Sequence, residues 1–179
     1  PKVASPPKPD TVTNLAHSKI EDVHVDAKNL GPCQKMNLVN PQVQKRLDGL
    51  KPVRAEDFPE LRSRFSMSTS NGQPVRDRKT GATYQGQIHR GVPHGWGKYV
   101  QADGGVVEGF FEEGNPAGYV RRFAAPLGAG YDGQFSNGQY NGKGTSFDDK
   151  GNVTECNTWV NGQPQGVQTV KNSNGQVVF

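Results

Sequence analysis

The sequence predicts an all-β protein: an open, single-layer array of about four β-hairpin repeats, preceded by an extended arm with two short helices. Three observations predict this fold. Glycines recur every 23 or 24 residues in the second half, apolar and polar side chains alternate around them, and the composition changes near residue 80. These observations divide the chain into an arm over 1–80 and a repeat array over 81–179.

The change in composition near residue 80 is sharp. Of the 23 glycines, only three precede residue 81, and of the 15 aromatic residues only two do. Prolines show the opposite bias, with eight among the first 59 residues. An extended, proline-containing arm therefore leads into a glycine-rich and aromatic-rich body.

Residues 1–40 show neither helical nor strand periodicity and contain no aromatic residue. A segment of this composition cannot bury enough apolar surface to offset its ordering entropy. We expect residues 1–40 to be ordered only by contacts with partners. An intramolecular strap along the sheet is the alternative that the sequence leaves open.

Two short helices are predicted in the arm, near 41–50 and 58–65. Asn40 supplies an N-cap side chain and Pro41 the first helical position. The first helix carries an apolar stripe at helical spacing, formed by Val43, Leu47 and Leu50. Helices of two or three turns need a surface to pack on. That surface is either the body or a partner, so the stripe is a candidate partner-binding site.

The repeat is aligned on four turn glycines, Gly91, Gly114, Gly138 and Gly162. Before the first, Tyr84, Gly86 and Ile88 alternate with polar residues, which is the period of a strand with one apolar face. Asn-Gly pairs at 137–138 and 161–162 are typical of tight hairpin turns. We predict hairpins at 84–101, 106–124, 130–148 and 153–170.

Glycines inside the strands indicate close approach of another group. We predict that an aromatic ring of the neighbouring hairpin lies over Gly86 or Gly133. Aromatic residues at a common phase of the repeat would then form a ladder on one face of the sheet. They are also candidate partner-binding residues: Tyr84, Phe111, Tyr131, Phe135 and Trp159.

The pattern Tyr-x-Gly-x-Trp/Phe-x-x-Gly-x-x-x-Gly-x-Gly resembles the MORN (membrane occupation and recognition nexus) repeat. The first and third copies match it well, whereas the second has Val107 in place of the leading Tyr. The fourth copy looks like a degenerate terminal cap, since it departs at Glu155, Asn157 and Gln168. The resemblance covers residues 84–170 and implies a hairpin array that binds other proteins.

Motifs for other chemistry have simpler explanations in the repeat. Residues 128–133 match the GxGxxG fingerprint, but they fall on a repeat boundary and not between a buried strand and a helix. His89 and His94 lie in one hairpin, where a structural use is favoured over a metal site. Cys33 and Cys156 have no pairing motif and are expected to be reduced thiols. We predict no catalytic, cofactor-binding or metal-binding residue.

The net charge of +4 is unevenly distributed. Residues 1–83 carry 14 Lys and Arg against 9 Asp and Glu, and residues 84–179 carry 7 against 8. A nucleic-acid-binding domain concentrates basic residues on its folded surface, so nucleic acid is not expected as a partner. The longest apolar runs are far shorter than a transmembrane helix requires. Peripheral membrane contact through the basic arm stays an alternative.

The expected function is a non-catalytic structural subunit that anchors into a large multi-protein assembly through its arm and its sheet. The resemblance implies organellar, axonemal or cytoskeletal complexes as partners. The chain begins at Pro1 without Met, so either a leader has been removed or the sequence starts inside a longer protein. Together with the basic N-terminal half, the first alternative slightly favours a mitochondrial, respiratory-type complex. The alternative is a regulatory or membrane-tethering module of a larger enzyme system.

Overall fold

The computed structural model of the chain describes residues 23–70 and 72–178. Within these residues there are two α-helices, α1 (Pro41–Asp48) and α2 (Pro59–Arg64). Eleven strands accompany them: β1 (Leu30–Pro32), β2 (Thr69–Ser70), β3 (Val75–Asp77), β4 (Thr83–His89), β5 (Val92–Val100), β6 (Val106–Glu112), β7 (Asn115–Ala124), β8 (Ala129–Ser136), β9 (Gln139–Phe147), β10 (Val153–Val160) and β11 (Gln163–Lys171). The predicted all-β class with two short arm helices is confirmed.

All eleven strands belong to one open antiparallel sheet. Its order is β1-β3-β4-β5-β6-β7-β8-β9-β10-β11, and β2 pairs with β4 beside β3. The four predicted hairpins are confirmed as β4–β5, β6–β7, β8–β9 and β10–β11. The sheet begins before the repeats, because β1, β2 and β3 lie in the part of the chain that the sequence assigned to the arm.

Each hairpin turns at two residues in the left-handed region. The first has φ between 49° and 52° and is Arg90, Glu113, Asn137 or Asn161. The second is the glycine that aligns the repeats, with φ between 79° and 86°. Two-residue turns of this hand match the twist of the flanking strands. The chain therefore reverses within two residues, and the next strand pairs at once.

The two faces of the sheet have different contents. One face, called here the tyrosine face, is crossed by a row of mutually opposite residues: Tyr84, Tyr99, Val107, Arg122, Tyr131, Ser146 and Thr154. The other, called here the helix face, is crossed by Val100, Val106, Phe123, Gly130 and Phe147. Residues of both rows are buried, so this single sheet has a core on each side.

The tyrosine rings lie over glycines of their own hairpin. A Cβ added at Gly97 would collide with the ring of Tyr84, and one added at Gly144 would collide with the ring of Tyr131. Gly97 is on β5 and Gly144 on β9, each the hairpin partner of the strand that bears the tyrosine. The expectation that a neighbouring hairpin supplies the ring is therefore wrong. The pairing of the two strands in each hairpin places the tyrosine of one strand over the glycine of the other.

Residues 23–40 pack on the sheet of the same chain. Val25 is fully buried and donates its N–H to the carbonyl of Gly114 at 3.0 Å. Further along, β1 pairs with β3, and the side-chain amide of Asn37 donates to the carbonyls of Gly81 and Val100. The expectation that partners alone order residues 1–40 is wrong for 23–40, where the strap is observed. Residues 1–22 lie outside the described part of the chain.

Replacing Gly97 tests the space that the tyrosine ring requires. Because Gly97 lacks a positive φ, Gly97→Ala is opposed by collision with Tyr84 alone. We expect it to lower the free energy of unfolding by about 3 kcal/mol, measured by urea denaturation. Gly72→Ala is the matched control, since an added Cβ there meets nothing within 4 Å. In a Tyr84→Ala background the cost of Gly97→Ala should fall below about 1 kcal/mol; an unchanged cost would contradict the assignment.

The buried tyrosines predict a loss of stability at high pH. Burial raises the pKa of Tyr84, Tyr131 and Tyr140 above the ordinary value of 10.0. The unfolded chain therefore releases these protons first, and stability that is complete below about pH 10 declines as the pH rises further. Each tyrosine contributes a slope of about 1.4 kcal/mol per pH unit. The free energy of unfolding, measured by urea denaturation from pH 8 to 11, should fall less steeply with pH above pH 10 in Tyr84→Phe, by the slope that one proton contributes. Equal slopes in the two proteins would exclude Tyr84 as a contributor.

Candidate interaction surface

The five aromatic residues expected to bind partners lie in the interior. Tyr84 and Phe111 meet edge to face with ring centroids 5.3 Å apart, and Tyr131 and Trp159 do so at 5.7 Å. Together with Phe135, they are at most 2% exposed. They share the tyrosine face but form two clusters on it. Their burial contradicts the prediction that they bind partners, because a partner could reach them only by displacing the protein's own chain.

The predicted apolar stripe also packs on the protein's own sheet, although α1 ends at Asp48 and Leu50 therefore follows the helix. Val43 is fully buried and belongs to one cluster with Val106 and Phe123. Leu47 and Leu50 pack half-buried against the same cluster. The sequence left the body and a partner as equal alternatives for this stripe, and the structure places it on the body. Val43, Leu47 and Leu50 are therefore core residues of the helix face.

A second cluster holds the rest of the arm on the helix face. The Phe58 ring stacks on Tyr119 with centroids 4.3 Å apart, and Phe65 stacks on Phe110 at 5.6 Å. Phe58 also lies 6.3 Å from Trp96. These rings lie at both ends of α2, so the short helix is fixed at each end by aromatic contacts.

Between the two clusters runs a row of charged residues on successive strands, called here the charged row: Lys98, Glu108, Arg121 and Asp132. Nε of Arg121 lies 3.4 Å from Asp132, and both side chains are largely buried. The Arg121 guanidinium also donates to the carbonyl of Lys51 in the arm. The hydroxyl of Tyr119 donates to Asp132, and burial together with that carboxylate raises the pKa of Tyr119. The arm thus supplies a backbone acceptor to a buried cation.

The surface that stays open lies at the far end of the sheet. We call β11 and residues 172–178 the C-terminal edge. Of seven exposed large apolar side chains in the described residues, four lie here or at the end of β10: Val160, Val167, Val177 and Val178. Val167 is 86% exposed and Val177 65% exposed. These exposed apolar side chains are spread along the last hairpin of the described sheet and make its edge a candidate protein-binding surface.

Within the described residues, the backbone of β11 has no strand paired along most of its outer side. Among the described residues, β11 ends the strand order, and its outer contacts are those to residues 177 and 178. Val178 donates its N–H to the carbonyl of Val170 at 2.8 Å. The one charged residue of β11, Lys171, is paired with Glu155 at 2.8 Å. An edge strand with few charges is the kind that accepts another strand.

The opposite end of the sheet is protected. Its outermost strand, β1, has three residues and ends in Pro32. The guanidinium of Arg78 covers Gly31 so closely that a Cβ there would collide with it. Short length, a proline and a covering cation are features that block strand addition. The two ends of the array therefore differ, and the C-terminal edge is the one suited to docking.

The remaining candidate motifs have local contacts. Nδ1 of His94 accepts the backbone N–H of Glu113 at 3.1 Å, and its ring lies 5.4 Å from that of His89. The GxGxxG residues enter β8, so a strand follows them. Cys33 and Cys156 are free thiols, and that of Cys156 donates to a backbone carbonyl. Within residues 23–70 and 72–178, no three His, Cys, Asp or Glu side chains are grouped to hold a metal.

An open sheet of four hairpins, in which the first and third each have a glycine under a tyrosine ring, defines a β-hairpin repeat protein. The family model of the MORN repeat matches two stretches of the chain, residues 84–106 and 131–153, which are the first and third hairpins. Repeats of this family are commonly involved in protein–protein or membrane interactions. No curated protein matches the chain.

Sequence reasoning did not single out the C-terminal edge. The sequence favours reading the last hairpin as a degenerate cap, because Glu155, Asn157 and Gln168 replace the tyrosine and two of the glycines. A signal was present in the spacing, since Gly175 follows Gly151 by one repeat length. The exposure of Val167 could not be predicted, because it depends on which strands the arm covers.

Truncating Phe58 should loosen the arm. We expect Phe58→Ala to lower the free energy of unfolding by about 2 kcal/mol, because its ring fills the space above Tyr119. Amide hydrogen exchange should accelerate over residues 41–65 more than in the hairpins. Met67→Ala is the control, since Met67 is 77% exposed and should change neither quantity. Uniform acceleration over the whole chain would contradict a separately docked arm.

Proposed function

We propose that this protein is a non-catalytic structural subunit that anchors into a large multi-protein assembly through its MORN sheet. The observation that carries the proposal is the C-terminal edge, where an open strand and exposed valines coincide. The apolar surface of arm residues 41–65 is used within the chain, so that segment acts mainly as the cover that keeps the sheet rigid. An organellar complex of the respiratory type is the assembly we favour, with axonemal or cytoskeletal complexes next.

A membrane-tethering or regulatory module is the second candidate. It would use the exposed basic side chains of the arm, among them Lys45, Lys51 and Arg62. Over residues 41–64, however, six Lys and Arg are interleaved with four Asp and Glu. Anionic lipid is attracted by clustered basic residues, so this mixed surface supports lipid binding less than the edge supports protein binding. In the described residues, no helix has the length and apolar composition needed to cross a bilayer.

The assembly role is tested by the size of the native particle. Size-exclusion chromatography of a native extract should place the protein in a large complex, well above the 19.4 kDa of the chain. Val167→Asp should shift a tagged copy toward the monomer position, whereas Leu127→Asp, at a 53% exposed site on another surface, should not. Elution of the unaltered protein as a monomer would contradict the proposal. Co-sedimentation with phosphatidylserine vesicles that is lost on Lys45→Glu would favour the second candidate.

A further inference from the structure

The arm contacts a series of turns at one end of the sheet. These turns, called here the inter-repeat turns, join β3 to β4, β5 to β6, β7 to β8 and β9 to β10, and they contain Gly81, Gly104, Gly128 and Gly151. The side-chain amide of Asn37 donates to the carbonyl of Gly81 at 2.9 Å. The backbone N–H of Asn40 donates to the carbonyl of Gly104, also at 2.9 Å. Asparagines three positions apart in the arm therefore bind two successive turns.

One side chain of α1 reaches the next two turns. Nε of Arg46 donates to the carbonyl of Gly128 at 3.3 Å. The same guanidinium lies over Gly151, where an added Cβ would come within 2.8 Å of Nη1. Arg46 therefore joins the turn after the second hairpin to the turn after the third.

The steps between these contacts match the spacing of the repeats. One repeat contributes two strands, which occupy about 9.6 Å across the sheet. From Asn37 to Asn40 the chain advances three residues outside any helix, which can span about 10 Å. From Asn40 to Arg46 it advances six residues along α1, or about 9 Å. Each step of the arm therefore covers one repeat.

The hairpin turns at the other end of the sheet are contacted by an earlier stretch of the arm, which runs in the opposite direction. Val25 donates its N–H to the carbonyl of Gly114, in the turn of the second hairpin. Ala27 then lies against the turn of the first hairpin, where a Cβ added at Gly91 would be 3.3 Å from that of Ala27. Between the two stretches, β1 pairs with β3 along the outer edge of the sheet.

We infer that residues 23–46 form a clamp, matched in length to the repeat, that limits how far neighbouring hairpins can twist or separate. The clamp follows the hairpin turns, passes the β1 edge and returns along the inter-repeat turns, so it encloses the sheet on three sides. It acts on the turns and not on the apolar side chains of the helix face. The clamp is independent of the proposed function, because it consists of contacts within the chain.

Each inter-repeat turn contains an amide that reports its opening. The glycine N–H donates to the carbonyl three or four residues before it in all four turns. Such an amide exchanges with solvent when its turn opens. The turn after β11 has the same bond, from Gly175 to Asn172, and a Cβ added at Gly175 would meet nothing within 4 Å. The Gly175 amide is therefore a reference that loss of the clamp should not change.

The first experiment compares amide exchange in Arg46→Met and Lys45→Met, using the full chain and detection by NMR. Methionine keeps an aliphatic stem and removes the cationic donors. We expect Arg46→Met to accelerate exchange at Gly128 and Gly151 by at least about fivefold, the effect of losing one hydrogen bond, and to leave the other turns unchanged. Lys45 is exposed on the same helix, so its replacement should change none of these amides.

A change in the length of the arm tests its match to the repeat. One glycine inserted after Leu38 keeps every contacting side chain but adds about 3.3 Å to the step between the first two turns. We expect exchange at Gly81 or Gly104 to accelerate by at least about fivefold, because both contacts cannot be kept without a bulge. One glycine inserted after Gly72, in the exposed segment between β2 and β3, is the control and should leave both amides unchanged.

Circular dichroism checks that the four variants fold. If the insertion after Leu38 does not fold, Asn37→Ala replaces it, since this change removes the side-chain donor to Gly81 and should accelerate exchange there. Unchanged exchange at Gly128 and Gly151 in Arg46→Met would overturn the clamp, and so would an equal effect of Lys45→Met. Acceleration that includes Gly175 would show a general loss of stability and would also overturn it.

Discussion

The packing of a tyrosine ring across a side-chain-free glycine is the contact on which the sheet depends. Tyr84 over Gly97 and Tyr131 over Gly144 bury large rings without a second sheet. Each hydroxyl donates to the backbone carbonyl three residues further along the same strand, which is that of Gln87 for Tyr84 and that of Gln134 for Tyr131. The distance is 2.7 Å in both cases. Each ring therefore satisfies its polar atom locally while its apolar body covers the neighbouring strand. Single-layer sheets rarely achieve this, because both faces usually meet water.

The apolar residues of the helix face are buried in another way, because the arm covers them. Val43 packs on Val106 and Phe123. On the other side of the charged row, Phe58 and Phe65 pack on Phe110 and Tyr119. The charged row lies between them, where the carbonyl of Lys51 and the carboxylate of Asp132 bind the buried Arg121. A buried cation needs such partners to offset its lost hydration. The arm is therefore matched to this sheet in charge as well as in shape.

The hairpins could be predicted from sequence because their determinants are local. Positive φ at Gly91 and its equivalents, and alternation around Tyr84, lie within a few residues of each turn. The docking of residues 23–40 could not be predicted, because Val23 and Val25 are too few to form a recognisable pattern. Their burial depends on a cluster assembled from β4, β5 and β6. The prediction that the five aromatic residues bind partners also could not be decided from sequence. Large aromatic side chains at a common phase of a repeat indicate a buried core as readily as a binding surface.

The path of the arm changes how the array can come apart. In a linear array each hairpin touches mainly its neighbours, so units can melt one at a time from either end. Here α1 contacts β7 and α2 contacts β5, which links hairpins through a segment that precedes both. Separating those strands requires releasing the arm, so the early hairpins melt together. Of the last hairpin, Val153 packs half-buried against the cluster that contains Val43 of the arm. The hairpins that the arm contacts therefore unfold together, whereas the β10–β11 hairpin can fray on its own.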